Sequence, residues 1–252
     1  MGEVVFASVT SPQQAADVAD FFHRVWADGP EVIPMDLILA MLHVDAFCEF
    51  ASQDGQVVAA STGFRGMYRG EHILHSHVTA SLAPGLGYQL KLRQREWAKE
   101  RSIPFITWTF DPLIRRNGFF NMVKLAAIGV EYSPNFYGVM VDSINAGDDS
   151  DRITAMWDVR SFRSPIHMDE YRHAAVTQTD GVPEVHGLQP GMENIVHLPA
   201  DASVLRQNAD PLMKAWRESV REILDPALNS GWTITGMLNR EAYILTPPKD
   251  DK

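Results

Sequence analysis

Glu71-His72-Ile73-Leu74-His75-Ser76-His77-Val78-Thr79, then Ala80-Ser81-Leu82-Ala83-Pro84-Gly85-Leu86-Gly87, then Tyr88-Gln89-Leu90-Lys91-Leu92-Arg93-Gln94-Arg95-Glu96-Trp97-Ala98-Lys99-Glu100-Arg101 is the stretch that decides the fold. The first part reads as a strand, and the last reads as a helix in which Leu90, Leu92, Trp97 and Ala98 alternate with a basic face of Lys91, Arg93, Arg95, Lys99 and Arg101. Between them lies a Gly-rich loop. A helix N-terminus offers main-chain N–H groups and the positive end of the helix dipole, so Gly85 and Gly87 would let a phosphate approach the backbone. Such a loop is equally a plain strand-to-helix turn.

Working back toward the N-terminus, Ala46–Ala51 and Val57–Phe64 flank Gln53-Asp54-Gly55-Gln56, and the Asp-Gly pair predicts a hairpin. The turn-prone Tyr68-Arg69-Gly70 then feeds Glu71, so three adjacent strands run antiparallel. Earlier still, Val4–Ala7 reads as a strand, Ser11 as a helix cap with Pro12 at the first helical position, and Ala15–Trp26 and Asp36–His43 as helices. Working forward, Ile103–Phe110 is a strand ended by Asp111-Pro112, Gly118–Ala127 a short helix, and Arg152–Val159 a strand. Arg160 to Asp201 shows little periodicity and reads as an irregular segment. Asp210-Pro211 opens a helix to about Leu228, and a hairpin turns at Asn239-Arg240.

The chain has 252 residues, 45% hydrophobic and 21% charged, with a formal charge of −10. That composition supports a sizeable core, and the acidic balance argues against nucleic acid or an anionic membrane as partner. No long apolar window and no basic-then-apolar leader is present, so a cytoplasmic location is expected. Cys48, the one cysteine, excludes an internal disulfide and reads as a small buried hydrophobe.

The order of elements resembles the GNAT superfamily of N-acyltransferases, and a longer block resembles a subfamily of predicted acyltransferases, some associated with N-succinylation of amino acids. The residues that carry this are Leu74-His75-Ser76-His77, Gly85-Leu86-Gly87-Tyr88, Leu90-Lys91-Leu92, Gln94-Arg95-Glu96-Trp97-Ala98, Trp108-Thr109-Phe110-Asp111-Pro112-Leu113, Arg116-Asn117, Phe120-Asn121, Lys124-Leu125, Asn135-Phe136-Tyr137-Gly138, Asp151-Arg152, Trp157 and Ala215-Trp216-Arg217. The resemblance implies a mixed α/β fold with a central, mostly antiparallel sheet flanked by helices. It implies an acyl-CoA-binding core over residues 1–159 and a C-terminal extension over 160–252 that ends in a helix and hairpin. The implied activity is transfer of an acetyl or succinyl group from acetyl-CoA or succinyl-CoA to the amine of a small molecule such as an amino acid, and a homodimer is compatible with it.

On this resemblance Gly85, Leu86, Gly87 and Tyr88 present main-chain donors to the pyrophosphate, Lys91 and Arg95 supplement them, and Asn121 orients the pantetheine arm. Two departures stand out. Leu82 occupies the loop position where the family carries Gln or Arg, next to a Pro84 that has no N–H, and Met122 stands where many members have a proton-donating Tyr.

Acyl transfer to an amine needs a base and an acid. His75 and His77 alternate on one strand face, and His77 or Asp111 would accept the amine proton. Packed or surface histidines, and an Asx-type turn at Asp111, are the competing readings. Tyr137, Tyr132 or water would supply the acid. Arg116 could hold a carboxylate, and Asn117 shares a helix face with Asn121. Two further alternatives remain: a GNAT scaffold that has lost or changed its coenzyme chemistry, and a metal site at His72, His75 and His77, against which stands His72 on the opposite face.

Overall fold

The computed structural model describes residues 2–26, 32–138, 148–160 and 172–248. It divides into two compact units, Met1–Trp108 with Asp158–Ser161, and Thr109–Trp157 with Phe162–Lys252.

The first unit carries β1 (Val4–Ser8), α1 (Pro12–Val25), α2 (Met35–His43), β2 (Phe47–Gln53), β3 (Gln56–Tyr68), β4 (Glu71–Ser81), α3 (Leu86–Glu100) and the start of β5 (Phe105–Phe110). Strand order is β1-β2-β3-β4-β5, antiparallel except where β5 pairs parallel to β4 after the α3 crossover. Both hairpins are two-residue turns with positive φ at each central residue, Asp54 (51°) and Gly55 (79°), Arg69 (51°) and Gly70 (82°). That geometry matches the twist of the flanking strands, which is why the Asp-Gly signal was legible. Ser11 caps α1 by accepting from Gln14 N, with Pro12 in the first turn.

Alternation along the strands separates two cores. Phe50, Ala60 and Ala80 face α1 and α2 with Phe21, Phe22, Ile38 and Cys48, whereas the neighbouring Ala51 and Ala59 pack against Leu86 and Leu90 of α3. Cys48 is buried and its thiol is pushed up to about 12 by burial and then by Glu49, as suits a packing residue.

The second unit carries α4 (Arg115–Phe119), a π-helical turn (Phe120–Lys124), β6 (Ile128–Ser133), β7 (Arg152–Asp158), β8 (His173–Thr179), β9 (Val182–Val185), β10 (Asn194–His197), α5 (Ala202–Gln207), α6 (Pro211–Asn229), β11 (Thr233–Leu238) and β12 (Ala242–Thr246). Its strands run in the order β7-β6-β11-β12-β10-β8-β9. The described residues of the segment read as irregular hold three short strands, β8, β9 and β10. The hairpin β8–β9 turns at Asp180 and Gly181, and Pro183 is tolerated because β9 closes the edge of this order. The helix expected over Gly118–Ala127 is instead α4 followed by the π turn, and β6 lies in what read as a polar interval. The fold class is as the sequence implied: mixed α/β, with mostly antiparallel strands flanked by helices.

Candidate active site

The Gly loop does what its residues permit. Gly85 is the N-cap of α3 in the left-handed region (φ 85°), and no side chain caps this helix. The first intrahelical bond runs from Gln89 N to Gly85 O at 3.1 Å, so the N–H groups of Leu86, Gly87 and Tyr88 precede it. A Cβ on Gly85 would meet nothing within 4 Å, and one on Gly87 would meet only Ser81 Cβ at 3.9 Å. The first turn holds no acidic residue. The main-chain donors and the helix dipole at this helix start suit a pyrophosphate.

The basic residues behave differently from expectation. Lys91 is 4% exposed, its Nζ donates to Ser76 Oγ at 2.8 Å and lies 4.0 Å from the centre of the Trp108 ring. Burial pulls its ammonium down to about 7. Arg95 is also buried, and its Nε donates to Val159 O at 3.0 Å. Arg93 pairs with Glu49, and Arg101 with Asp45 at 2.9 Å. Lys91 and Arg95 therefore cannot supplement the cradle as expected, because each spends its charge inside the unit. The buried positions Lys91, Gln94, Arg95 and Ala98 follow steps of three and four, a helical stripe that alternating charge obscured.

Under α3 a polar chain crosses the sheet. Gln94 Nε2 donates to Ser76 Oγ at 2.9 Å and to Ser61 Oγ at 2.8 Å, and Ser61 meets Thr79 Oγ1 at 2.6 Å. On β4, Thr62 pairs with Val78 but Gly63 with Ser76, so His77 is the extra residue of a β-bulge. Gly63 makes room for it, since a Cβ there would lie 2.9 Å from His75 O and 3.1 Å from Leu74 Cδ1. We expect Gly63→Ala to lower the unfolding free energy by about 1–3 kcal/mol in urea titrations, because backbone must move. An unchanged midpoint would mean that the bulge is loosely packed.

His75 and His77 do share a face, both beside Phe64, with ring centroids 5.2 and 6.2 Å away. His75 Nδ1 lies 3.2 Å from Thr107 Oγ1, and burial, then the charges of His77 and Lys91, bring its pKa down to about 4. It is a neutral imidazole at pH 7. His77 is exposed. The parallel ladder of β4 with β5 joins Ile73 to Phe105, Leu74 to Ile106 and His75 to Thr107.

In the second unit Asp111 is the hub of a buried ion cluster. It accepts from Leu113 N at 2.9 Å, from Arg206 Nη2 at 2.8 Å and from Arg217 Nη1 at 3.1 Å, while Asp148 bridges the same two guanidinium groups. Burial alone would raise its pKa, yet Arg217 and then Arg206 hold it below the usual carboxylate range. A carboxylate so committed is a poor proton acceptor, which corrects the expectation that Asp111 serves as base. The partners Asp148, Arg206 and Arg217 were missed, as a contact across some 100 residues leaves no local pattern.

Asn121 is 4% exposed within the π turn. Met122 is buried too. Tyr132 donates to Asp151 at 2.5 Å and burial raises its phenol strongly, which removes it as acid. Tyr137 is 54% exposed, with its hydroxyl 3.4 Å from Thr109 Oγ1 and Arg152 5.0 Å over its ring.

By sequence, neither a protein-family profile nor a curated protein matches the chain. By structure it is similar to a GNAT-family acetyltransferase from Streptococcus pneumoniae at TM-score 0.50 and 15% identity, over 61% of this chain and 98% of that one. An N-acetyltransferase from Staphylococcus aureus Mu50 matches at 0.50 and 11%, over 62% and 99%. The ribosomal-protein-S5-alanine acetyltransferase from Vibrio fischeri matches at 0.50 and 10%, over 65% and 97%. The chain has the fold of GNAT acetyltransferases.

Proposed function

We propose that the protein transfers an acyl group, acetyl or succinyl, from acyl-coenzyme A to the amine of a small molecule such as an amino acid. The observation that carries this is the start of α3, where a left-handed Gly85 opens a helix that no side chain caps and the N–H groups of Leu86, Gly87 and Tyr88 precede the first intrahelical bond. The similarity in fold to acetyltransferases agrees with it. Acyl-coenzyme A would supply an activated thioester. Leu86, Gly87 and Tyr88 hold its diphosphate by main-chain hydrogen bonds. With Lys91 and Arg95 turned inward, that grip rests on peptide dipoles.

His77, exposed beside Phe64, takes the proton that the acceptor ammonium must lose. The neutral ring of His75 keeps that face free of a second positive charge that would repel the substrate. Phe64, 40% exposed, offers the acceptor an apolar wall.

The test is thermal unfolding with coenzyme A, acetyl-coenzyme A and succinyl-coenzyme A at millimolar concentration. Ligand linkage predicts about 2.7 kcal/mol of stabilisation at a hundredfold excess over Kd. No shift with any of the three would remove the acyltransferase reading.

A further inference from the structure

We propose that Lys91 is the proton donor to the sulfur that leaves when the thioester is opened, acting from the face of β4 opposite His75 and His77; this rests on the acyl-transfer reading above. Lys91 Nζ has three N–H groups and, among the described residues, one hydrogen-bond acceptor, Ser76 Oγ, beside the π face of Trp108. No carboxylate pairs with it among the described residues. A buried ammonium left this short of acceptors is costly, and it favours any ligand atom that takes a hydrogen bond or a proton.

Its position gives that atom an identity. The β4–β5 ladder ends at His75 and Thr107, and the next residue on each strand, Ser76 and Trp108, is one of the two that hold Nζ. The ammonium thus stands where the two strands cease to be bonded. The imidazoles of His75 and His77 lie on the other face with Phe64. An amine attacking from the imidazole side expels sulfur toward the α3 side, where Lys91 waits.

The N–C bond forms and the C–S bond breaks. Sulfur keeps that electron pair and takes a proton from Lys91 Nζ. The nitrogen gives up two protons, one to His77 before it attacks and, once that ring has passed the first to solvent, a second as the amide forms. Exchange with solvent restores both side chains. Met122, where the family resemblance would have a tyrosine, has no proton to give. Burial that brings Lys91 to about 7 places it near a thiol's ordinary value, so the transfer runs between matched partners. The titratable groups around Lys91 are His75 on β4 and Arg95 on α3, whose Nε turns to Val159 O; Gln94 on α3, Ser61 on β3 and Thr107 and Trp108 on β5 are neutral.

Lys91→Met and Lys91→Arg test this with two readouts. Ultraviolet titration follows ionisation of the bound coenzyme A thiol. In the wild-type protein the bound thiol shares its titration with Lys91, so thiolate should appear in two steps, a partial one beginning near 7 and the rest at higher pH, and in K91M a single step should remain. Thiol release from acetyl- and succinyl-coenzyme A with pooled free amino acids should fall about 100-fold in kcat for K91M, with KM changed less than about threefold. The wild-type kcat should decline as pH rises through about 7, a limb absent from K91M. K91R should not rescue, because a guanidinium does not give up its proton.

A wild-type protein that neither binds nor reacts with these donors overturns the acyl-transfer reading and this role with it. Binding by the wild type with an identical thiol titration in K91M overturns the role of Lys91 alone. Where the acceptor pool contains no substrate, the thiol titration decides.

Discussion

Lys91→Met should stabilise the protein most at neutral and acid pH, and its advantage over wild type should shrink by about 1.4 kcal/mol per pH unit as pH rises from about 7 toward 10. The cause is the burial that brings the Lys91 ammonium from 10.5 down to about 7 in the folded protein. Between those values the unfolded chain holds a proton that the folded chain has released, so raising the pH favours the fold. Below about 7 both states are protonated and the full penalty applies; summed over the window it reaches about 4 kcal/mol. Urea unfolding of wild type and K91M at several pH values reads the difference directly. A constant difference would mean that Lys91 is hydrated and ordinarily basic, and its burial against Ser76 and Trp108 would be refuted.

The second large effect belongs to Asp111. Removing its carboxylate in Asp111→Ala leaves the Arg206 and Arg217 guanidinium groups, 6% and 2% exposed, to share Asp148 alone. Breaking a buried ion cluster from one side costs about 3–5 kcal/mol, or roughly 10 °C in Tm for a protein of this size. The linkage has the opposite sense to that of Lys91. The folded carboxylate is held below the ordinary value, so its contribution is complete above that value and is lost as pH falls through the folded one. Denaturant titration of D111A at neutral pH checks it. A loss under about 1 kcal/mol would show the cluster to be ornamental, and would reopen Asp111 to catalysis.

Local chemistry was the legible part of this chain. Ser11-Pro12, Asp54-Gly55 and Asp210-Pro211 each announce an element boundary through a constraint that acts within four residues, and each lies where expected. So does Gly85, whose left-handed φ opens α3. What stayed hidden depends on burial across elements. Lys91, Arg93 and Arg95 read as one basic face because charge alternates in sequence, yet the sheet beneath α3 takes two of them inside and Glu49 takes the third. Asp111 looked chemically available because Arg206 and Arg217 lie far away in the chain. The three strands between residues 172 and 201 mix apolar and polar residues over four to seven positions without a clear period, so their pairing is what reveals them. His75 and His77 could be placed on one face by alternation, but the bulge that sets His77 apart is visible only through the register with β3 and the tight space at Gly63.

The central claim is that the main chain at the start of α3 grips a diphosphate. The most direct measurement is a crystal structure of the protein soaked with coenzyme A. The account predicts the diphosphate oxygens within hydrogen-bond distance of the Leu86, Gly87 and Tyr88 nitrogens, beside Gly85. Coenzyme A bound elsewhere, or a loop at Pro84 and Gly85 that excludes it at saturating concentration, would contradict the account.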